Sequence, residues 1–153
     1  MKSGKALSAK EFIRDRRSPI PANASISRVM SANKAKDTKL ETILRSALWI
    51  KGIRRYRLHW KRIPGSPDIA YPSKKVAVFV NGCYWHRCPH CKPHFPRTID
   101  SFWSNKFIAN IERDKRKNDE LAQLGWRVII IWECQIRKDL KKQIDIIFNA
   151  WYE

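Results

Sequence analysis

Between residues 38 and 50 the apolar positions recur every three or four residues: Leu40, Ile43, Leu44, Ala47 and Leu48. That spacing predicts a helix with one buried face, and Thr38 followed by Glu41 supplies a capping box for its first turn. The segment RRYRLHWKR at 54–62 instead interleaves cations with Tyr56, Leu58 and Trp60, and reads as an extended basic strand or ribbon. A Pro-Gly-Ser-Pro turn at 64–67 leads into Asp68, Ile69, Ala70 and Tyr71, and Pro72 with Ser73 makes another turn. Val76, Ala77, Val78, Phe79 and Val80 form an unbroken apolar run, the pattern of a strand covered on both faces. A second such run, RVIIIW at 127–132, predicts a second buried strand. The stretch from about 100 to 124 is predicted to be a long helix stopped by Gly125, with Phe107, Ile111, Asn118 and Leu121 on one face. A last helix over about 136–151 would align Leu140, Ile144, Ile147, Phe148 and Trp151. Strand, long helix, strand describes a right-handed crossover between parallel neighbours. The expected class is α/β, a mixed central sheet flanked by helices.

Length and charge sharpen this picture. A chain of 153 residues can bury one sizeable core without disulfides. Residues 1–26, of mixed charge and then rich in Pro, Ser, Asn and Ala, read as a flexible basic arm, and 27–153 as a single domain. The 32 Lys and Arg outnumber 14 Asp and Glu, leaving a formal charge of +18 that points to a polyanionic partner. No segment is long and apolar enough to span a bilayer, which argues against a membrane partner. The basic N-terminus lacks the apolar core of a secretory signal, so a cytoplasmic setting is expected. In that setting cysteines are more often metal ligands than disulfide partners.

The topology says where those cysteines meet. Cys83 follows the first apolar strand and Cys134 the second. If the strands are parallel and adjacent, both leave the sheet at one edge, where the C-x-x-C pair Cys88 and Cys91 also lies. Four thiolates in tetrahedral array suit a structural Zn²⁺. His90 or His94 is the alternative to Cys91 as fourth ligand.

Next to that edge lie groups that suit hydrolysis. Asp68 begins one strand and Val80 ends its neighbour, so a carboxylate and an exposed carbonyl oxygen flank one spot, a donor pair fit for Mg²⁺. Asp114 falls in the inward stripe of the long helix, where a charge is costly unless ligated or ion-paired to one of the surrounding cations. Glu41 borders the apolar face of the first helix. His86, between Cys83 and Cys88, is a titratable base beside the proposed metal, with zinc ligation or plain exposure as its other readings.

These residues resemble the very-short-patch mismatch repair endonucleases, relatives of the PD-(D/E)xK restriction-enzyme fold. The resemblance runs from about 27 to 134: MS at 30–31, KDTKLE at 36–41, PGSPD at 64–68, FVNGCYWH at 79–86, PRT at 96–98 with FW at 102–103, NIERD at 110–114, LGWRV at 124–128 and WEC at 132–134. It implies a Mg²⁺-dependent endonuclease, monomeric, that nicks one strand of double-stranded DNA at a T:G mismatch. Asp68 and the Val80 carbonyl would hold Mg²⁺, and His86 would be the general base or proton shuttle. Glu41 and Asp114 would position water or His86. Tyr84 and Trp85 would wedge into the base stack from the major groove and Met30 from the minor groove. Two positions depart from the family pattern. Asn81 stands where a histidine is common, and an amide cannot act as a base at neutral pH; Cys88 stands where many members have histidine. A restriction-type enzyme cutting both strands of a matched site and a non-catalytic zinc module that binds nucleic acid are the alternatives.

Overall fold

The computed structural model describes residues 36–94 and 101–153, with side chains in the second segment from Ser104 onward. The arm at 1–26, Met30 and the PRT segment at 96–98 therefore lie outside the described residues. In chain order the elements are α1 (Lys39–Ile50), β1 (Arg57–Leu58), β2 (Ile69–Tyr71), a 3₁₀ turn (Pro72–Lys74), β3 (Val76–Asn81), α2 (Ser101–Gln123), β4 (Arg127–Trp132), α3 (Glu133–Lys138) and α4 (Leu140–Tyr152). The sheet order is β1-β2-β3-β4; the first two pairings are antiparallel and β3 runs parallel to β4. The sheet is mixed and flanked by helices, as the hydrophobic patterning indicates.

Local chemistry explains most of the boundaries. Thr38 caps α1: its side chain accepts from the Glu41 N–H while Glu41 accepts from the Thr38 N–H. The long helix α2 ends in paired reverse hydrogen bonds, Trp126 N–H to the Leu121 carbonyl at 2.9 Å and Gly125 N–H to Ala122 at 2.9 Å. This closure needs Gly125 at φ +76°, a conformation that side chains with a Cβ adopt reluctantly. The core joins Leu44 and Leu48 of α1, Ile69 and Tyr71 of β2, Val76 and Val78 of β3, Ile129 and Ile131 of β4, and Ile144 and Ile147 of α4. Val76, Ala77 and Val78 are all fully buried in succession, so β3 is covered on both faces.

Four expectations are corrected. The basic ribbon holds strand geometry only at Arg57–Leu58, because Arg55 and His59 on either side adopt positive φ (63° and 45°). In β4 only Ile129 and Ile131 are buried; the strand stands at the edge of the sheet and its other residues are half covered. The final helix is two helices, because Asp139 leaves helical geometry (φ −157°, ψ 84°) and its carboxylate accepts from the Lys142 N–H at 2.9 Å to start α4. On α2, Phe107 and Leu121 are buried but Ile111 is 46% exposed, so the inward stripe is narrower than the spacing suggests.

Candidate active site and metal centre

The antiparallel register brings Asp68, at the start of β2, beside the end of β3, where the Val80 N–H donates to Asp68 Oδ2 at 2.7 Å. Burial pushes the Asp68 carboxyl up to about 6, against the Val80 hydrogen bond that lowers it; the charge of nearby Glu41 raises it further, while His59 and His86 pull it down. Glu41, 4% exposed, is held by its capping role: Oε1 accepts from the Thr38 N–H and hydroxyl, and Oε2 from the Asp37 N–H at 3.0 Å. The charge of Glu41 thus reaches Asp68 through a partly desolvated region. A hard divalent cation on the Asp68 oxygen would offset that repulsion.

A second pair lies on the other side. His86 hangs from the turn after β3, its N–H donating to the Gly82 carbonyl at 3.2 Å, and its Nδ1 lies 2.5 Å from Asp114 Oδ2 on α2. A carboxylate accepts, so Nδ1 is the donor here, and in a neutral ring Nε2 is then the nitrogen with the lone pair. Asp114 thereby finds its partner chiefly in His86, with Arg113 a more distant 3.7 Å neighbour. Asn81 is the last residue of β3, in register with Trp132.

The parallel pairing of β3 and β4 brings the cysteines together. All four sulfurs, of Cys83, Cys88, Cys91 and Cys134, lie within 4.8 Å of one another, and none is in a disulfide. The Cys88 and Cys134 sulfurs are 3.7 Å apart. The edge of a tetrahedron with ~2.3 Å Zn–S bonds is about 3.8 Å, so the spacing fits that ion. The Cys134 N–H donates to the Cys83 sulfur at 3.3 Å, and the Cys83 N–H points to Glu133 Oε2 at 3.4 Å. Burial and the neighbouring thiols push Cys83 well above the usual thiol range. Burial raises Cys88, but N–H groups of Cys91 and His90 together with the Cys134 and Cys91 thiols outweigh it and hold this thiol low. A cation at the centre would remove the mutual repulsion of the thiolates. His90 and His94 are not in the cluster; the His90 ring packs edge-on against Trp132, 6.4 Å between centroids.

Tyr84 and Trp85 project from the turn that begins with Cys83. Their rings meet edge to face at 5.1 Å, and each also packs on Phe107 of α2, at 5.5 and 6.5 Å. The Arg87 guanidinium lies over Phe107 at 5.0 Å, and the Asn110 amide donates to the Trp85 carbonyl at 3.3 Å. Packing and exposure coexist here, for Tyr84 remains 36% exposed.

One residue of the site escaped the sequence analysis. His59, just beyond β1, has a ring nitrogen 3.6 Å from Asp68 Oδ1 and the other 3.6 Å from Glu41 Oε2. The register Arg57↔Ala70 and Leu58↔Ile69, carried one step further, sets His59 opposite Asp68. A hairpin alignment across the PGSP turn was the signal that could have found it.

Comparison with known proteins gives the class first. The chain is 42% identical over 126 residues to the type II nicking enzyme V.NaeI of Lentzea aerocolonigenes, covering 79% of this chain and 75% of the relative. It is 41% identical over 108 residues to the type II nicking enzyme V.XorIIP of Xanthomonas oryzae pv. oryzae, covering 71% and 79%. It is 38% identical over 115 residues to the DNA mismatch endonuclease Vsr of Escherichia coli, covering 74% and 72%. The protein is a DNA endonuclease. The family model described as DNA mismatch endonuclease Vsr matches residues 20–92, and the chain belongs to the Vsr endonuclease family.

Proposed function

We propose that this endonuclease nicks one strand of double-stranded DNA at a T:G mismatch, with Mg²⁺ at Asp68 and a structural Zn²⁺ in the cysteine cluster. The carrying observation is the partly buried carboxylate of Asp68, tied to the Val80 N–H and within electrostatic reach of His86, which itself pairs with Asp114. Membership of the family and relatives named as nicking enzymes and a mismatch endonuclease support strand nicking and the mismatch.

Asp68 Oδ1, with the Val80 carbonyl, is the metal-binding pair; Oδ2 is engaged by the Val80 N–H. Mg²⁺ held there supplies charge stabilisation for the scissile phosphate and its leaving oxygen. Asp114 orients His86 through Nδ1, so that Nε2 takes the proton of an attacking water as general base. Glu41, held by its capping hydrogen bonds, helps place that water, and Asn81 orients phosphate or water through its amide. Cys83, Cys88, Cys91 and Cys134 would hold a Zn²⁺ that supplies a cross-link for the loop carrying His86. Tyr84 and Trp85, braced on Phe107, would wedge into the base stack from the major groove, and Met30 would insert from the minor groove. A mispair lowers the cost of unstacking and so gives selectivity. The enzyme acts as a monomer.

The deciding experiment incubates the protein with Mg²⁺ and matched or T:G-mismatched duplexes labelled on each strand. One strand cut, and only in the mismatched duplex, is expected. Both strands cut in matched DNA would make it a restriction-type enzyme; no cleavage with any divalent ion would leave a binding module, with Asn81 the first suspect.

A further inference from the structure

His59 carries an unusual combination of constraints. Its φ of 45° is left-handed, a backbone state that a non-glycine residue keeps where its surroundings over-determine it. In that state its N–H donates to the Asp68 carbonyl at 3.3 Å, and its ring, 14% exposed, turns beneath the start of α1. Nδ1 lies 3.6 Å from Asp68 Oδ1, and Nε2 lies 3.6 Å from both Glu41 Oε2 and Asp37 Oδ1. The Nε2 atom is buried and has no hydrogen-bond partner. These separations are a few tenths of an ångström beyond hydrogen-bond length.

The free oxygen of Asp68 is the one His59 faces. Oδ2 is already tied to the Val80 N–H, so Oδ1 alone sets how the carboxylate plane is turned, and that torsion is otherwise broad. On its far side the same ring abuts Glu41, which the capping box locks onto α1. We propose that His59 is a positioning residue, a strut between the fixed Glu41 and Asp68 that sets the orientation in which Asp68 presents its oxygen to a divalent cation. The inference rests on the reading of Asp68 as a metal ligand. A metal centre made of Asp37, Glu41 and His59 themselves is the competing use of these atoms, which lie within 4.8 Å of one another. It is disfavoured because Asp37 is 64% exposed and pairs with Arg45 at 2.7 Å, while both Glu41 oxygens already accept hydrogen bonds.

The test uses the full chain and Mn²⁺ as a spin-active stand-in for Mg²⁺. Bound Mn²⁺ is counted by electron paramagnetic resonance, and nicking of a T:G duplex is followed across a Mg²⁺ titration. Asp68→Ala should lose the Mn²⁺ site. Removing a group that orients a metal ligand typically weakens the metal ~10–100-fold, which is the expected rise in Mn²⁺ Kd for His59→Ala. The Mg²⁺ needed for half-maximal nicking should rise in parallel, with zinc content and melting temperature held. His59→Gln keeps one donor amide and should lose measurably less than the ~10–100-fold expected for alanine; it decides the matter alone if the alanine variant does not fold. Affinity in both variants within twofold of wild type would overturn the proposal. So would wild type binding two Mn²⁺ and a folded His59→Ala binding one, which would make His59 a ligand. Wild type that binds Mn²⁺ through Asp68 yet never nicks would sink the nicking reading, leaving His59 to be judged on Mn²⁺ affinity. Wild type with no Mn²⁺ site at Asp68 would overturn both.

Discussion

With Mg²⁺ bound as proposed, Asp68 is where protons and metal would compete. Its carboxyl is pushed to about 6 by burial, so at neutral pH it is ionised and available to a cation, while below that value a proton occupies it. Nicking at subsaturating Mg²⁺ should therefore fall as the pH drops through about 6, and more Mg²⁺ should move the fall to lower pH; a fall that ignores Mg²⁺ would implicate another group. Stability runs the other way. A carboxyl raised in the folded state favours folding below its ordinary value and loses that contribution as pH rises through its folded one. Asp68→Asn should thus gain more melting temperature over wild type at pH 7 than at pH 5 in Mg²⁺-free buffer. Asp68→Ala should abolish Mg²⁺-dependent nicking while duplex affinity stays equal or rises, since a negative charge near the phosphate is gone. His86→Ala should slow nicking by about 10²–10⁴, the usual worth of a positioned general base, with zinc retained.

At the scale of elements, the turn after β3 is one small structure with two tasks. It carries Cys83, Cys88 and Cys91 together with Tyr84, Trp85 and His86, and Cys134, in the first turn of α3 just after β4, completes the cluster. Cys134→Ala should release the metal and lower the melting temperature as well as activity, because a structural zinc site contributes directly to folding free energy. Elemental analysis together with a thermal melt reads both effects. The aromatic pair stands on Phe107 rather than in the core, so Tyr84→Ala combined with Trp85→Ala should lower the preference for a T:G duplex more than the affinity for a matched one. Competition binding with the two duplexes distinguishes that outcome from a uniform loss, which would mean that the rings serve only packing.

Over the whole molecule the charge of +18 dominates long-range behaviour. Among the described residues no helix is long and apolar enough to cross a membrane. Matched duplex should be bound in a salt-dependent way, with log K falling against log salt at about −0.9 per phosphate neutralised. Affinity that barely changes between low and physiological salt would confine the contacts to a few phosphates. The proposed active groups come from α1, the start of β2, the end of β3, the turn after it and α2, so the site exists only when helices and sheet are assembled. Unfolding that preserved Mn²⁺ binding at Asp68 would contradict that dependence.

What was legible along the chain was whatever short-range periodicity controls. Three- and four-residue spacing marked α1 and α2, apolar runs marked β3 and β4, and Thr38 with Glu41 marked a helix start, because these features depend on neighbours within a turn or two. The cysteine convergence was legible too, since one crossover rule carries a local pattern across the 51 positions from Cys83 to Cys134. Registers between distant segments and the shielding of each face lay beyond such patterns. His59 stands opposite Asp68 because β1 and β2 pair at one particular alignment, and reaches Glu41 because α1 packs over that hairpin's end. Ile111 is exposed and β4, at the edge of the sheet, only half covered, although their spacing matches that of buried residues. Asp139 breaks the last helix because its carboxylate caps α4 while Ile136 is drawn into the core from α3, a contest between a local cap and a distant surface that assembly resolves.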